Sequence, residues 1–487
     1  MSSSSPNDGE LARLDATAQA ELVRCGEITP AELIESTIRR IEKLDPDINA
    51  VIHRHFDRAR EEAAGPLPNG PFRGVPFLLK DLGGGNRAGD PHYWGTRFLR
   101  DAKYRATTTS YLVEKFLAAG LIVVGRSNVP ELGAWTTTEP ESYGATRSPW
   151  NTAHSCGGSS GGAAAAVASG MVPFAHASDG GGSIRNPASQ SGLIGLKPTR
   201  GRISLGPDVG DGWGGLTHEF AVCRSVRDTA ALLDAVAGAM PGDPYFAPPP
   251  KRPYREDVER DPGRLRVGLL NEMRDVDIKN DCKEAVQRAG QLLESLGHDV
   301  QVAQPDALSG ADLMPAILAV IASSQARDME KFSEALGREL GPDDVDSDNW
   351  AVSEIGKGVT ATQYQSGIES FQHFSRDLAA WWASGFDLLI TPTIPEPPPP
   401  LGELVPNPEV ALEGFMRSGQ LTPFLIPFNI TGQPAISLPL HWNAGGLPIG
   451  VQLVADYARE DLLFAVSAQL EQAAHWADRR PPVHAAA

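Results

Sequence analysis

The stretch Ser110-Tyr111-Leu112-Val113-Glu114-Lys115-Phe116-Leu117-Ala118-Ala119-Gly120-Leu121-Ile122-Val123-Val124 decides the fold class. From about Ser110 through Lys115 to Ala119 it reads as a helix, Gly120 stops it, and Leu121 to Val124 continues as an unbroken apolar run. A helix that feeds a strand with no polar alternation points to a sheet buried on both faces. The pairing recurs: Asp281 to Leu296 closes at Gly297 before Val300-Gln301-Val302. Phe374, Leu378 and Trp382, at i, i+4 and i+8, mark a helix ahead of Leu388-Leu389-Ile390. Upstream, Thr29-Pro30-Ala31-Glu32 places a capping hydroxyl, a proline at the first helical position and a glutamate three residues after the cap. Ile34, Ile38 and Ile41 then share one face. These alternations predict an α/β protein with a central mixed, largely parallel sheet covered by helices on both faces.

Length alone, 487 residues, allows two or three domains. The proline-dense stretches near 241–262 and 395–408 are the candidate breaks. Both are read as surface excursions from a single domain spanning 1–487, with Pro397 to Pro400 extended and solvent-facing.

Composition narrows the function. With 41% hydrophobic and 21% charged residues the chain is an ordinary globular protein, and its net charge of −18 repels phosphate backbones and anionic lipid. Nucleic-acid and membrane-surface partners are therefore not expected; a small neutral molecule fits better. Cys25, Cys156, Cys223 and Cys282 show no CxxC spacing and read as reduced thiols. The N-terminal MSSSSPNDGE has neither a basic nor an apolar signal region, no window nears a membrane span, and no repeat of 20–50 residues is seen. A cytoplasmic setting is expected, and the charge leaves monomer and homodimer open.

The densest chemical signal is Ser155-Cys156-Gly157-Gly158-Ser159-Ser160-Gly161-Gly162, followed by the helix-forming run Ala163 to Ser169. A second cluster runs Asp179-Gly180-Gly181-Gly182-Ser183-Ile184-Arg185-Asn186-Pro187. Three glycines before a serine expose a row of backbone N–H groups with no Cβ in the way, as an oxyanion hole requires. Ser183 is then placed as nucleophile, and it needs a base. Lys80 closes the apolar run Gly74-Val75-Pro76-Phe77-Leu78-Leu79 and would serve if burial lowered its pKa, although a lysine at a strand end ordinarily reaches solvent. A rival reading takes Gly157-Gly158-Ser159-Ser160-Gly161 as the nucleophile elbow of an α/β-hydrolase. That elbow needs a strand before it, whereas Trp150 to Ser155 has little strand character, and none of His176, His218 or His298 stands out as its base.

Together, Lys80 in its Gly-Val-Pro context, the Gly-Gly-Ser-Ser-Gly-Gly block, and Asp-Gly-Gly-Gly-Ser-Ile-Arg with Gly195-Leu196-Lys197-Pro198-Thr199 downstream resemble the amidase signature family. The 24-residue spacing from Ser159 to Ser183 fits its pattern. The likeness extends through Asp387 to Thr393, Phe428 to Ala435 and Gly446 to Gln452. Within the family it is most similar to the branch of aminohexanoate cyclic-dimer hydrolases, aryl acylamidases and urethanases. The resemblance implies the amidase signature fold and a Ser-Ser-Lys triad with Ser183 as nucleophile, Ser159 as bridging serine after a cis peptide, and Lys80 as base. It implies oxyanion donors from Gly180, Gly181, Gly182 and Ser183, and neither metal nor organic cofactor.

Three departures bear on specificity. Ala177-Ser178 precede the motif aspartate where many members have Gly-Thr, Gly180 follows it, and Ala163 replaces a frequent serine. Asp179 and Arg185 are assigned to holding the loop. Aromatic residues between the blocks, Tyr93, Trp94, Trp135, Tyr143, Trp150 and Trp213, are candidates for a substrate pocket, with Gly83 to Gly85 and Gly210 to Gly215 as mobile walls. The expected activity is hydrolysis of neutral amides, anilides, carbamates or short oligoamides. The alternative is the glutaminase subunit of a transfer-RNA amidotransferase.

Overall fold

A computed structural model describes residues 6–310 and 312–486. Thirteen strands form in chain order. The first three are β1 (Val51–Arg54), β2 (Pro76–Lys80) and β3 (Ile122–Ser127). A small hairpin, β4 (Arg147–Ser148) and β5 (Asn151–Ser155), stands apart from the main sheet. Then come β6 (Phe174–Asp179), β7 (Ile194–Lys197) and β8 (His218–Cys223). Next are β9 (Arg266–Leu269), β10 (Asp299–Val302) and β11 (Leu388–Pro392). The last pair is β12 (Ala435–Trp442) and β13 (Pro448–Ala455).

Eleven of them make one sheet in the order β1-β3-β2-β6-β8-β7-β12-β13-β11-β9-β10. Successive side chains of a strand point to opposite faces, so a strand buried at every residue has both faces covered. β2, β3, β6, β7, β8, β11 and β13 are all of this kind. The α/β class is as expected.

Parallel pairing lies in the flanks, where β2 joins β3 and β6, and β9 joins β10 and β11. Helices provide the crossovers there: Tyr111–Ala118 lies between β2 and β3, and Asn280–Ser295 between β9 and β10. The middle of the sheet and the β1 edge are antiparallel. The sheet is thus mixed, and its parallel character follows the helix-strand units from which it was read.

Local signals act as expected. Thr29 and Glu32 close a capping box on the helix Pro30–Ile48, and Ile34, Ile38 and Ile41 are buried beneath it. Gly120 turns at φ 89°, and a Cβ there would stand 2.6 Å from the Arg73 backbone, so the helix-to-strand corner requires glycine. The four cysteines are unpaired.

The second proline excursion differs from expectation. Pro398 and Pro399 are buried, because the segment docks on β5: Ser155 N–H donates to Pro399 O at 2.9 Å, and Leu401 N–H to Ala153 O at 3.0 Å. Prolines present carbonyls to a neighbouring strand without needing a partner for an N–H of their own. The first excursion also adheres, with Arg202 Nη1 donating to Pro248 O at 2.6 Å and Tyr254 buried.

Leu389, fully buried in β11 between β13 and β9, tests the continuity of the sheet core. Leu389→Ala should lower unfolding stability in urea by about 2–5 kcal/mol without changing the far-ultraviolet dichroism of the folded state.

Candidate active site

Lys80 ends β2, flanked by β3 and β6, and is fully buried. It does not snorkel to solvent, since the strand end is roofed by the glycine-serine loop. Its Nζ lies 2.8 Å from Ser159 Oγ and 2.9 Å from Ser178 Oγ. Its backbone N–H donates to His176 Nδ1 at 3.2 Å, and its carbonyl accepts from Arg126 Nη2 at 3.0 Å. Burial disfavours the ammonium and pushes the Lys80 pKa down to about 7, against the opposing pull of Glu219 and Asp179.

Ser159 sits in a loop that the hairpin feeds. β5 is a strand, contrary to the sequence expectation; it is held by β4 and by the proline segment rather than by apolar side chains, which is why its composition gave no sign. Gly157 takes φ 81° and the Gly158–Ser159 peptide is cis. A Cβ on Gly158 would collide with the backbone of Trp135 and Thr137, and its carbonyl accepts from Asn186 Nδ2 at 2.9 Å. The histidines are engaged elsewhere. His176 faces the Lys80 amide, His218 Nδ1 donates to Leu216 O at 2.8 Å, and His298 accepts from Leu265 N–H at 3.2 Å. The side-chain partner of Ser159 is a lysine, so the elbow reading fails on geometry.

The Asp179 loop is braced by a buried ion pair. Arg185 Nε lies 2.9 Å from Asp179 Oδ2 and Nη2 3.0 Å from Oδ1, with both side chains fully buried. Burial alone would raise the Asp179 pKa; the guanidinium and Asn429 outweigh it and hold the carboxyl below the usual carboxylate range. Arg185 also donates to Gln452 Oε1 (2.8 Å), Leu425 O (3.1 Å) and Asn429 Oδ1 (2.6 Å). The pair thus ties the start of the loop to its end and to the segments that carry Leu425, Asn429 and Gln452.

One assignment changes. Gly182, expected in the row of unengaged donors, gives its N–H to Asp179 Oδ1 at 2.7 Å. The carboxylate reaches over its own turn and takes that amide together with the amide of Ile184. What Gly182 supplies is φ 125° and the absence of a Cβ that would strike Leu425. The amides of Gly180, Gly181 and Ser183 donate to no group among the described residues. These three residues are half-buried, whereas Ser159 is only 2% exposed, so they form the open side of the site.

Of the aromatic candidates, Trp213 is the one beside this row: a Cβ on Gly180 would stand 3.0 Å from its indole ring. Ile426 flanks Gly181 in the same way at 3.3 Å. Trp135 instead donates to Asp346 (3.1 Å), Trp150 to Ser191 O (2.8 Å), and Tyr143 pairs with His53 (3.1 Å). Sequence reasoning missed Ser178 as a partner of Lys80 and Asn429 as a brace. Ser178 was visible only as a hydroxyl residue preceding the aspartate, and Asn429 only as part of a distant motif block. Among the described residues no cluster of three or more His, Cys, Asp or Glu could hold a metal, and no helix is long and apolar enough to cross a membrane.

Removing one member of a buried pair strands the other charge. Arg185→Met should destabilise the protein by about 3–5 kcal/mol in urea unfolding, more than the Leu389 truncation would if that site relaxes around its cavity. An Arg185→Met protein of wild-type stability would refute the bracing role.

Known proteins resemble this chain along nearly its whole length. The family model described as Amidase matches residues 32–464. A 6-aminohexanoate-cyclic-dimer hydrolase from Pseudomonas sp. (strain NK87) is 46% identical over 476 residues, covering 96% of each chain. A solved 6-aminohexanoate cyclic dimer hydrolase superposes with TM-score 0.94 at 44% identity, covering 97% of this chain and 99% of the other. A bacterial aryl acylamidase gives TM-score 0.83 at 27% identity, covering 97% and 98%. The chain belongs to the amidase signature family, and it is an amidase hydrolase of that family's fold.

Proposed function

We propose that this protein hydrolyses neutral amides through a Ser183–Ser159–Lys80 triad and an acyl-enzyme. The observation that carries the proposal is the fully buried Lys80 amine, poised near neutrality and 2.8 Å from the Ser159 hydroxyl. A neutral amine accepts a proton, and a serine hydroxyl can accept and donate at once, so Ser159 relays the proton of Ser183 to Lys80. Ser183 Oγ attacks the carbonyl while backbone donors at Gly180, Gly181 and Ser183 receive the developing oxyanion. The relay then runs backward and protonates the departing amine. Water attacks the acyl-enzyme with the same groups acting again as base, and Ser183 is regenerated. Every proton is carried by groups of this chain, without metal or organic cofactor.

The substrate class we propose is a small neutral amide: an oligoamide of the kind named for the 46%-identical relative, an anilide, or a carbamate. Trp213 and Ile426 beside the oxyanion row present apolar walls, which favours uncharged chains next to the reacting carbonyl. With a carbamate the same steps pass through a carbamoyl- or carbonate-enzyme and end as amine, alcohol and carbon dioxide. We place the enzyme in the cytoplasm, acting on a small molecule without nucleic-acid or membrane partners, in line with its net charge of −18.

The decisive measurement is hydrolysis of a chromogenic anilide and a matching aryl carbamate by wild type and by Ser183→Ala. The variant should lose about a thousandfold or more in kcat/KM while staying folded, and the wild-type rate ratio ranks anilide against carbamate. Retention of most activity would sink the triad. Cleavage of neither substrate, with glutaminase activity appearing only on addition of partner subunits, would favour an amidotransferase role instead.

The pH dependence has a definite sign. Lys80 works as a neutral base, so kcat/KM should be flat above a pH near its lowered pKa of about 7 and fall about tenfold per unit below it. A profile falling instead only below pH 5 would point to a carboxylate as the base.

A further inference from the structure

We propose that Glu219, acting through His176, is the positioning residue for Lys80, fixing its strand end and holding a negative charge beneath its amine. This deepens the Ser-Ser-Lys reading and rests on it. His176 and Ser178 project from the same face of β6, and Glu219 stands directly opposite Ser178 in the β6–β8 ladder. All three sit at the Lys80 end of the sheet. Ser178 Oγ meets the Lys80 amine, and His176 Nδ1 accepts the Lys80 backbone N–H.

That acceptor role fixes the tautomer. With Nδ1 accepting, the proton is on Nε2, which donates to Glu219 Oε2 at 2.8 Å. The other carboxylate oxygen accepts from Gly84 N–H at 2.9 Å. His176 is fully buried and Glu219 is 2% exposed, so this is a sealed chain from carboxylate to imidazole to the backbone of the proposed base.

The arrangement also accounts for Gly83-Gly84-Gly85, read from sequence as a mobile wall. The segment is a short 3-10 turn strapped to Glu219. A Cβ at Gly83 would stand 2.6 Å from Glu219 Oε1, and one at Gly84 3.0 Å from the carboxyl carbon. The run of glycines makes room for the charge.

The groups facing the Lys80 amine can be named from each neighbouring element. Ser159 approaches from the glycine-serine loop, Ser178 from β6, and the negative charges come from Asp179 at the end of β6 and Glu219 in β8. Arg126, from β3, is occupied with the Lys80 carbonyl and with Asp81. Asp179 is already neutralised by its contacts to Arg185. Glu219 is thus the nearby carboxylate without an arginine or lysine partner among the described residues. Its removal should favour the neutral amine.

The test is the pH profile of kcat/KM on a chromogenic anilide for wild type, Glu219→Gln and Glu219→Asp. Glu219→Gln should move the acid limb to lower pH by about half a unit or more, because the ammonium loses its stabilising charge. Glu219→Asp keeps the charge but withdraws it from His176; its limb should stay put while its plateau drops about fivefold or more. An unmoved limb in a folded Glu219→Gln protein would overturn the proposal, as would an unchanged plateau in Glu219→Asp, which decides the matter if the glutamine variant does not fold. Ser183→Ala, assayed alongside, separates the two failures. If it retains activity the triad itself is wrong, whereas if it is inactive and the limb still does not move, only the role of Glu219 falls.

Discussion

The removal of the Lys80 amine from water is the constraint on which the site depends. A lysine in bulk solvent is an ammonium with three donors and no capacity to accept a proton. Fully buried, it can be neutral near pH 7, but only if every neighbouring polar group is satisfied without placing a full counter-charge in contact with Nζ. The structure meets this with two hydroxyls at hydrogen-bonding distance and with carboxylates held further off by partners of their own. The glycine loops follow from the same requirement. They let the Ser159 and Asp179 segments close over the strand end, so the Lys80 amine is fully buried and the Ser159 hydroxyl is near.

How much of this was legible in the sequence differs by the range of the interactions. The helix Pro30–Ile48 and the corner at Gly120 are written in neighbouring residues, through a capping box and a glycine forced to positive φ, and both form as read. The three positions proposed as a triad were legible as a motif resemblance, and two of them, Lys80 and Ser159, meet in space. What was not legible is what other parts of the chain do. β5 is a strand because β4 and a distant proline segment pair with it, the segment accepting the Ser155 N–H and donating the Leu401 N–H to Ala153 O, and nothing between Asn151 and Ser155 announces that. Gly182 gives its amide to Asp179 because Arg185 and Asn429 orient that carboxylate; Asn429 is 250 residues away. Antiparallel pairing in the middle of the sheet likewise joins strands such as β7 and β12, which lie more than 200 residues apart, so no local signal sets their direction.

The family relationship and the local chemistry divide the explanation between them. Identity of 46% over almost the whole chain accounts for the common frame. Departures within the motif acquire local meaning from the structure. Ser178 keeps the hydroxyl that the more usual threonine would carry and turns it to the lysine, and Gly180 leaves space that Trp213 partly fills.

The brace of the Asp179 loop carries a consequence for the order of assembly. Lys80, Ser159 and Ser183 all lie in the first 183 residues, yet the acceptors that hold Arg185 besides Asp179 are Leu425, Asn429 and Gln452, separated from it by 240, 244 and 267 residues. During synthesis Lys80 and Ser159 can meet while most of the chain is still unmade, but the loop that bears Ser183 lacks these distant acceptors until the C-terminal segments emerge. Until then Arg185 lacks its acceptors at Leu425, Asn429 and Gln452, and Asp179 lacks its bond from Asn429, so the loop is held only by its own turn and ion pair. The order of the polypeptide thus delays the completed loop, so that an unfinished chain holds Lys80, Ser159 and Ser183 without the distant half of their frame.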